Sequence, residues 1–147
     1  MDAIGKIVRD IIELKIEANN VPKDATMENM FEWFSWSFEH GLIEVTYKYG
    51  ELQGYLEWIK LPRIPNSREE IKDIIDYDTD SNVLYITNCC VRDDQVRHGV
   101  LWKLIHMVRE KQKNNFDIVC WHTGLEGALH VYSNTKRTEM QLEGVLV

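Results

Sequence analysis

The sequence predicts an α/β fold of the α+β kind, a mixed central sheet flanked by helices, and three observations carry that expectation. Apolar residues recur at helical spacing through residues 3 to 40. The period then switches to strict alternation on both sides of a turn. Later, two short and nearly continuous apolar runs bracket an amphipathic helix, as expected of buried strands joined by a crossover. At 147 residues the chain fits one domain, 1–147, long enough for a substantial core.

Residues 3 to 18 place Ile4, Ile7, Val8, Ile11, Ile12 and Ile16 on one face, with charges between them. Asn19, Asn20 and Pro22 end that helix. Asp24 or Thr26 caps a second one reaching about His40, where Gly41 supplies the stop. Met27, Phe31, Phe34 and Phe38 share a face and are expected in the core. Trp33 and Trp36 point elsewhere, either lining a substrate pocket or covering a neighbouring sheet. Residues 42 to 49 and 52 to 61 alternate around a Gly50-Glu51 turn and read as an antiparallel hairpin closed by Pro62 and Pro65. Residues 66 to 80 suggest a short acidic helix capped by Ser67, with Ile71, Ile74 and Ile75 inward.

A strand from Val83 to Val91 leads through a charged loop into a helix whose stripe is Val96, Val100, Leu101, Leu104, Ile105 and Val108. That helix runs to about Lys113. The next strand is Phe116 to Thr123, residues 125 to 133 read as a short helix, and the segment from Glu139 to Val147 reads as a closing strand.

Composition excludes several classes. With 44% hydrophobic residues the chain is globular, and no apolar run approaches the roughly 20 residues of a membrane span. The start MDAIGKIVRD is too charged for a signal or transit peptide, so a cytoplasmic location is expected. Cys89, Cys90 and Cys120 are odd in number, and the first two are neighbours on a strand, which argues against a disulfide framework. Cys120 and His122 lack a second pair to complete a metal site, so no metal is expected. A formal charge of −7 argues against nucleic acid as a partner, but residues 92 to 113 form a basic island with Arg92, Arg97, Lys103, Arg109, Lys111 and Lys113. There, a strand runs through a loop into a helix N-terminus, where unpaired amides and the helix dipole favour an anion.

This order of elements resembles the GCN5-related N-acetyltransferase superfamily over roughly residues 26 to 147. Cys89-Cys90-Val91 stand where that family has a small-small-Val strand end. Gln95, Val96, Arg97, His98, Gly99 and Val100 stand where it has a glycine-containing pyrophosphate loop. Ala128 to Tyr132 reproduces the spacing of its short helix ending in Tyr. Two registers remain open in the loop. With Gly99 as the first motif Gly, the Arg/Gln position falls on Val96 and a small position on Leu101; with Gln95 as the motif Gln, His98 takes a glycine position. The family's first strand is absent or very short, and SNTKRTE follows Tyr132 in place of Gly-Phe.

The resemblance implies acetyl-CoA as cosubstrate and transfer of acetyl to a primary amine by direct attack on the thioester. It puts the amides of residues 95 to 100 around the pyrophosphate, with Arg97, His98 or Lys103 as cations, and the backbone of Cys90 and Val91 beside the thioester. Tyr132 would be the general acid. His122 has a suitable intrinsic pKa for a base, whereas Tyr85, on the strand position where some relatives carry Glu, would only touch substrate. Trp33 and Trp36 are the other acceptor-side candidates, the acceptor being a small-molecule or peptide amine. The competing expectation is a non-catalytic scaffold or interaction module of the same fold, possessing a protein partner and of viral type, favoured by the degenerate loop. The oligomeric state stays open.

Overall fold

The computed structural model describes residues 2–92, 99–112, 116–123 and 127–133. Its elements are α1 (Ala3–Glu17), α2 (Met27–Glu39), β1 (Ile43–Lys48), β2 (Glu51–Leu61), α3 (Ile71–Ile74), β3 (Val83–Val91), α4 (Val100–Lys111), β4 (Ile118–Thr123) and β5 (Ala128–Ser133). The strands form one sheet in the order β1-β2-β3-β4-β5. β1 and β2 are antiparallel, β3 and β4 parallel, and β4 and β5 antiparallel. This is the mixed sheet with flanking helices that the sequence predicts, beginning with helices rather than a strand.

Capping fixes the first two helices. Asp2 Oδ1 accepts from Gly5 N at 2.7 Å, and Thr26 Oγ1 accepts from Asn29 N at 3.0 Å, each satisfying an amide that has no intrahelical partner. The hairpin turn is centred one residue earlier than expected. Tyr49 and Gly50 both take positive φ, 53° and 78°, and Lys48 pairs with Glu51, the two-residue geometry that follows strand twist.

The described residues fall into two compact units, within Met1–Glu57 plus Asn88–Met107 and within Trp58–Thr87 plus Val108–Val147. In the first unit α1 contributes Val8, Ile11, Ile12 and Leu14 to a core with Met30 and Phe34 of α2, Ile43, Leu52, Tyr55 and Cys90. The expected α2 face is corrected here. Phe34 is buried and Phe38 packs on the core, but Met27 and Phe31 remain 57% and 40% exposed. The buried line is Met30, Phe34 and Ser37, because Ser37 has a buried partner on β2 that apolar periodicity does not reveal.

In the second unit, the expected acidic helix shrinks to the single turn α3, with Ser67 Oγ accepting from Glu70 N at 3.3 Å; its isoleucines are half-buried. Parallel pairing of β3 with β4 runs from Val83↔Ile118 to Tyr85↔Cys120. Of the expected short helix at 125 to 133, residues 125 and 126 lie outside the described residues, and Ala128–Ser133 is a strand instead: β5 pairs with β4 from Thr123↔Ala128 to Ile118↔Ser133. Gly127, at φ 67°, precedes it, and a full ladder of cross-strand pairs outweighs what a single helical turn could gain. The expected closing strand lies outside the described residues. No described helix is long and apolar enough to cross a membrane.

Candidate functional site

Two neighbourhoods carry the candidate residues, one in each unit. In the first, β3 ends at Cys90 and Val91 and α4 opens at Val100 behind Gly99, whose φ of 69° is the left-handed conformation that glycine adopts without strain. Lys103 N donates to Gly99 O at 3.0 Å, so the first turn of α4 is closed immediately after that glycine. Gly54 on β2 backs this junction. A Cβ built there would lie 3.0 Å from Val100 Cγ1, 3.2 Å from Cys90 O and 3.2 Å from Val91 Cγ2. Only a residue without a side chain lets the strand end and the helix start approach β2 this closely. Gly54 was not singled out in the sequence; its signal is a glycine inside an alternating strand. Gln95, Val96, Arg97 and His98 lie outside the described residues, leaving Lys103 as the exposed described cation of the helix start.

Arg92 belongs to the basic island by sequence, but its charge is already used. Its guanidinium meets Glu17 at 2.6 Å and Glu51 at 3.0 Å, its Nε donates to Leu52 O at 2.7 Å, and its amide donates to Gln53 O. It anchors the end of β3 to β2 and α1.

Beneath α1 and α2 the same unit holds a polar network that sequence reasoning missed. Glu57 Oε2 accepts from Trp33 Nε1 and from Ser37 Oγ, both at 2.7 Å. Asn88 Oδ1 accepts from Tyr55 Oη at 2.9 Å and from Lys15 Nζ at 3.2 Å. Lys15, Ser37, Tyr55 and Glu57 are buried. Burial lowers the Lys15 pKa, opposed by the negative potential of Cys90 and Glu57. Burial likewise raises that of Tyr55. Trp33 is thus pinned by a buried carboxylate although it is 53% exposed, and it neither lines a closed core nor lies loose.

In the second unit the structure brings Tyr85 and His122 together, with Tyr85 Oη 2.8 Å from His122 Nδ1. His122 Nε2 is buried without a hydrogen-bond partner among the described residues, and Arg68 Nη2 donates to the His122 carbonyl at 3.0 Å. Tyr85 is pushed up to about 12, chiefly by burial, with the Arg68 charge pulling the other way. Tyr132 sits elsewhere. It pairs with Val119, and its ring stacks on Trp121 at 5.9 Å, while Trp121 also stacks on His130 at 5.4 Å. Alternation along β4 therefore puts Trp121, His130 and Tyr132 on one face of the sheet and Cys120, His122 and Tyr85 on the other. The two catalytic candidates do not share a face.

The thiols are not poised for nucleophilic attack, since desolvation pushes Cys89 and Cys120 up to about 12. Cys120 has a stability consequence. A folded pKa raised from 9.0 to about 12 gives stability that is complete below pH 9 and is lost as pH climbs toward 12. At about 1.4 kcal/mol per unit, Cys120 alone accounts for about 2 kcal/mol lost by about pH 10.5. Lys15 works in the opposite sense, recovering stability as pH rises toward 10.5. Cys120→Ala should therefore flatten the alkaline fall of Tm, measured by circular dichroism between about pH 8.5 and 10.5. An unchanged slope would refute the assignment.

Among the described residues no group of three or more His, Cys, Asp or Glu side chains could hold a metal. No protein-family model matches the sequence, and no curated protein matches it. Solved structures do match. One is a protein from Staphylococcus aureus Mu50 assigned as an acetyltransferase, with a TM-score of 0.51 and 14% identity over 78% of this chain and 72% of that one. Another is the loading GNATL domain of CurA from Lyngbya majuscula, with a TM-score of 0.56 and 10% identity over 80% of this chain and 60% of that one. At such identities the likeness is one of fold: this chain shares its fold with these acetyltransferase structures.

Proposed function

We propose that the chain binds acetyl-CoA and transfers its acetyl group to a primary amine. The observation that carries this reading is the junction of β3, Gly99 and α4, built against Gly54 within a fold shared with acetyltransferases. Acetyl-CoA would supply an activated acyl thioester. The residues present suit such a ligand at this junction: glycine backing lets the strand end and helix start come together, and the first-turn amides of α4 and the Lys103 ammonium offer donors and positive charge to an anion. Arg92 does not supply that charge, being paired with Glu17 and Glu51. Tyr132 is the proposed proton donor to the departing thiolate, and the acceptor nitrogen must shed its own proton to base or water.

One observation favours a second reading, a non-catalytic member of the fold. The stretch Ala128–Ser133 is a strand, so Tyr132 is not presented by a helix. Two measurements separate the readings. If the proposal holds, acetyl-CoA raises Tm with concentration, by the equivalent of about 2.7 kcal/mol at 100 times Kd. A flat melting curve at about 1 mM acetyl-CoA would sink cofactor and enzyme together. With binding established, Tyr132→Phe should depress kcat while leaving Kd for acetyl-CoA unchanged. Undiminished turnover removes the phenol from the reaction, and binding without turnover on any amine tried selects the non-catalytic reading.

A further inference from the structure

We infer that the outer face of α2 is a docking surface for a Lys- or Arg-rich segment of a partner protein. This inference stands on α2 alone and does not require acetyl transfer. The helix buries Met30, Phe34 and Ser37. Its 3.6-residue period then places Glu28, Glu32 and Glu39 along the line farthest from the core, all exposed. Met27 and Phe31 flank that line on one side, and Trp33, Trp36 and His40 on the other. Trp36 is 39% exposed and stacks on His40 at 4.1 Å, while Trp33 and Trp36 lie 6.5 Å apart.

Carboxylates between two apolar borders suit a ligand with long aliphatic stems and cationic heads. Lys and Arg stems can lie along Phe31 and the indoles while their heads meet the carboxylates, and a cation near an indole face gains cation–π attraction. The surface is also pre-formed, since Glu57 holds Trp33 from below and His40 Nδ1 is 2.7 Å from the Trp36 carbonyl. Less ordering is then required on binding. The carboxylates are not matched internally: among the described residues no ion pair involves Glu28, Glu32 or Glu39, and α2 carries no Lys or Arg. A second copy docked through this same face would bring the same three carboxylates against them, in a chain of formal charge −7, so the occupant that complements the face is a basic segment.

The test uses the full chain and a fluorescein-labelled peptide of six lysines alternating with glycines, read by anisotropy at low salt, beside a glutamate counterpart. Saturable binding of the lysine peptide alone is expected. Trp36→Leu and the pair Glu32→Gln/Glu39→Gln should each weaken it about fivefold. The pair Asp73→Asn/Asp76→Asn, on the acidic segment of the other unit, should leave it within about twofold. Tm of each variant establishes that it folds. Four outcomes overturn the inference: no saturable binding up to about 1 mM peptide; binding of the glutamate peptide as well; no effect of Trp36→Leu; or equal losses from the Asp73 and Asp76 pair, which would mean net charge only. A dimer in sedimentation that Trp36→Leu dissolves would instead assign the face to self-association and also overturn it.

Discussion

Glu57→Leu is expected to destabilise the protein by about 3 kcal/mol, although it replaces a charged residue with an apolar one on a buried strand. The carboxylate accepts from Ser37 Oγ and Trp33 Nε1 on one oxygen, and its charge also favours the buried Lys15 ammonium. Removing it takes away the acceptor of a buried hydroxyl and one of the interactions that offset the burial of the Lys15 ammonium. Glu57→Gln separates the two terms. It retains an acceptor for the donors and forfeits only the charge, so it should cost less than Leu. Denaturant melts of the three proteins measure this, with equal m-values required for the comparison. A Leu variant as stable as the parent would mean that the network contributes no net stability.

The second large effect belongs to Gly54. Gly54→Val places branched carbons where even a Cβ comes within 3.0 Å of Val100 Cγ1 and 3.2 Å of the Cys90 carbonyl. The carbonyl is backbone and cannot swing aside, so β3 and the start of α4 must move away from β2. Overpacking of this kind costs about 3 kcal/mol, with Gly54→Ala at about 1 to 2. The Ala variant is the more informative for function. It should remain folded yet weaken the proposed binding of acetyl-CoA, because the strand end and helix start no longer meet at their native separation. An Ala variant with parental Kd would remove the Gly54 junction from the binding site.

Gly54 also marks how far the sequence could be read. Apart from α3, the helices and strands from α1 to β4 were legible because their periods are long and their caps conventional: Thr26, Gly41 and the alternating hairpin appear where local chemistry puts them, the turn within one residue. The segment at 128 to 133 was not, since Ala-Leu-His-Val-Tyr-Ser fits a short helix as well as a strand, and pairing with β4 decided between them. The face of α2 was misread for a related reason. Ser37 carries no apolar signal, and its burial depends on Glu57, twenty residues away in sequence. The polar network escaped notice altogether. Lys15, Tyr55, Glu57 and Asn88 lie on three separate elements, and each alone reads as an ordinary polar position.

The two-faced arrangement of β4 and β5 also constrains how protons can travel. An imidazole on the far side of a sheet cannot exchange a proton with a phenol on the near side, because the ladder between them carries no side chain that crosses it. Among the described residues of β4 and β5, the imidazole on the same face as Tyr132 is His130, stacked on Trp121 and 2.8 Å from the Thr123 hydroxyl. His122 therefore cannot relay a proton to Tyr132 across the sheet, and the limb of a pH–rate profile that Tyr132→Phe removes should respond to His130→Gln and not to His122→Gln.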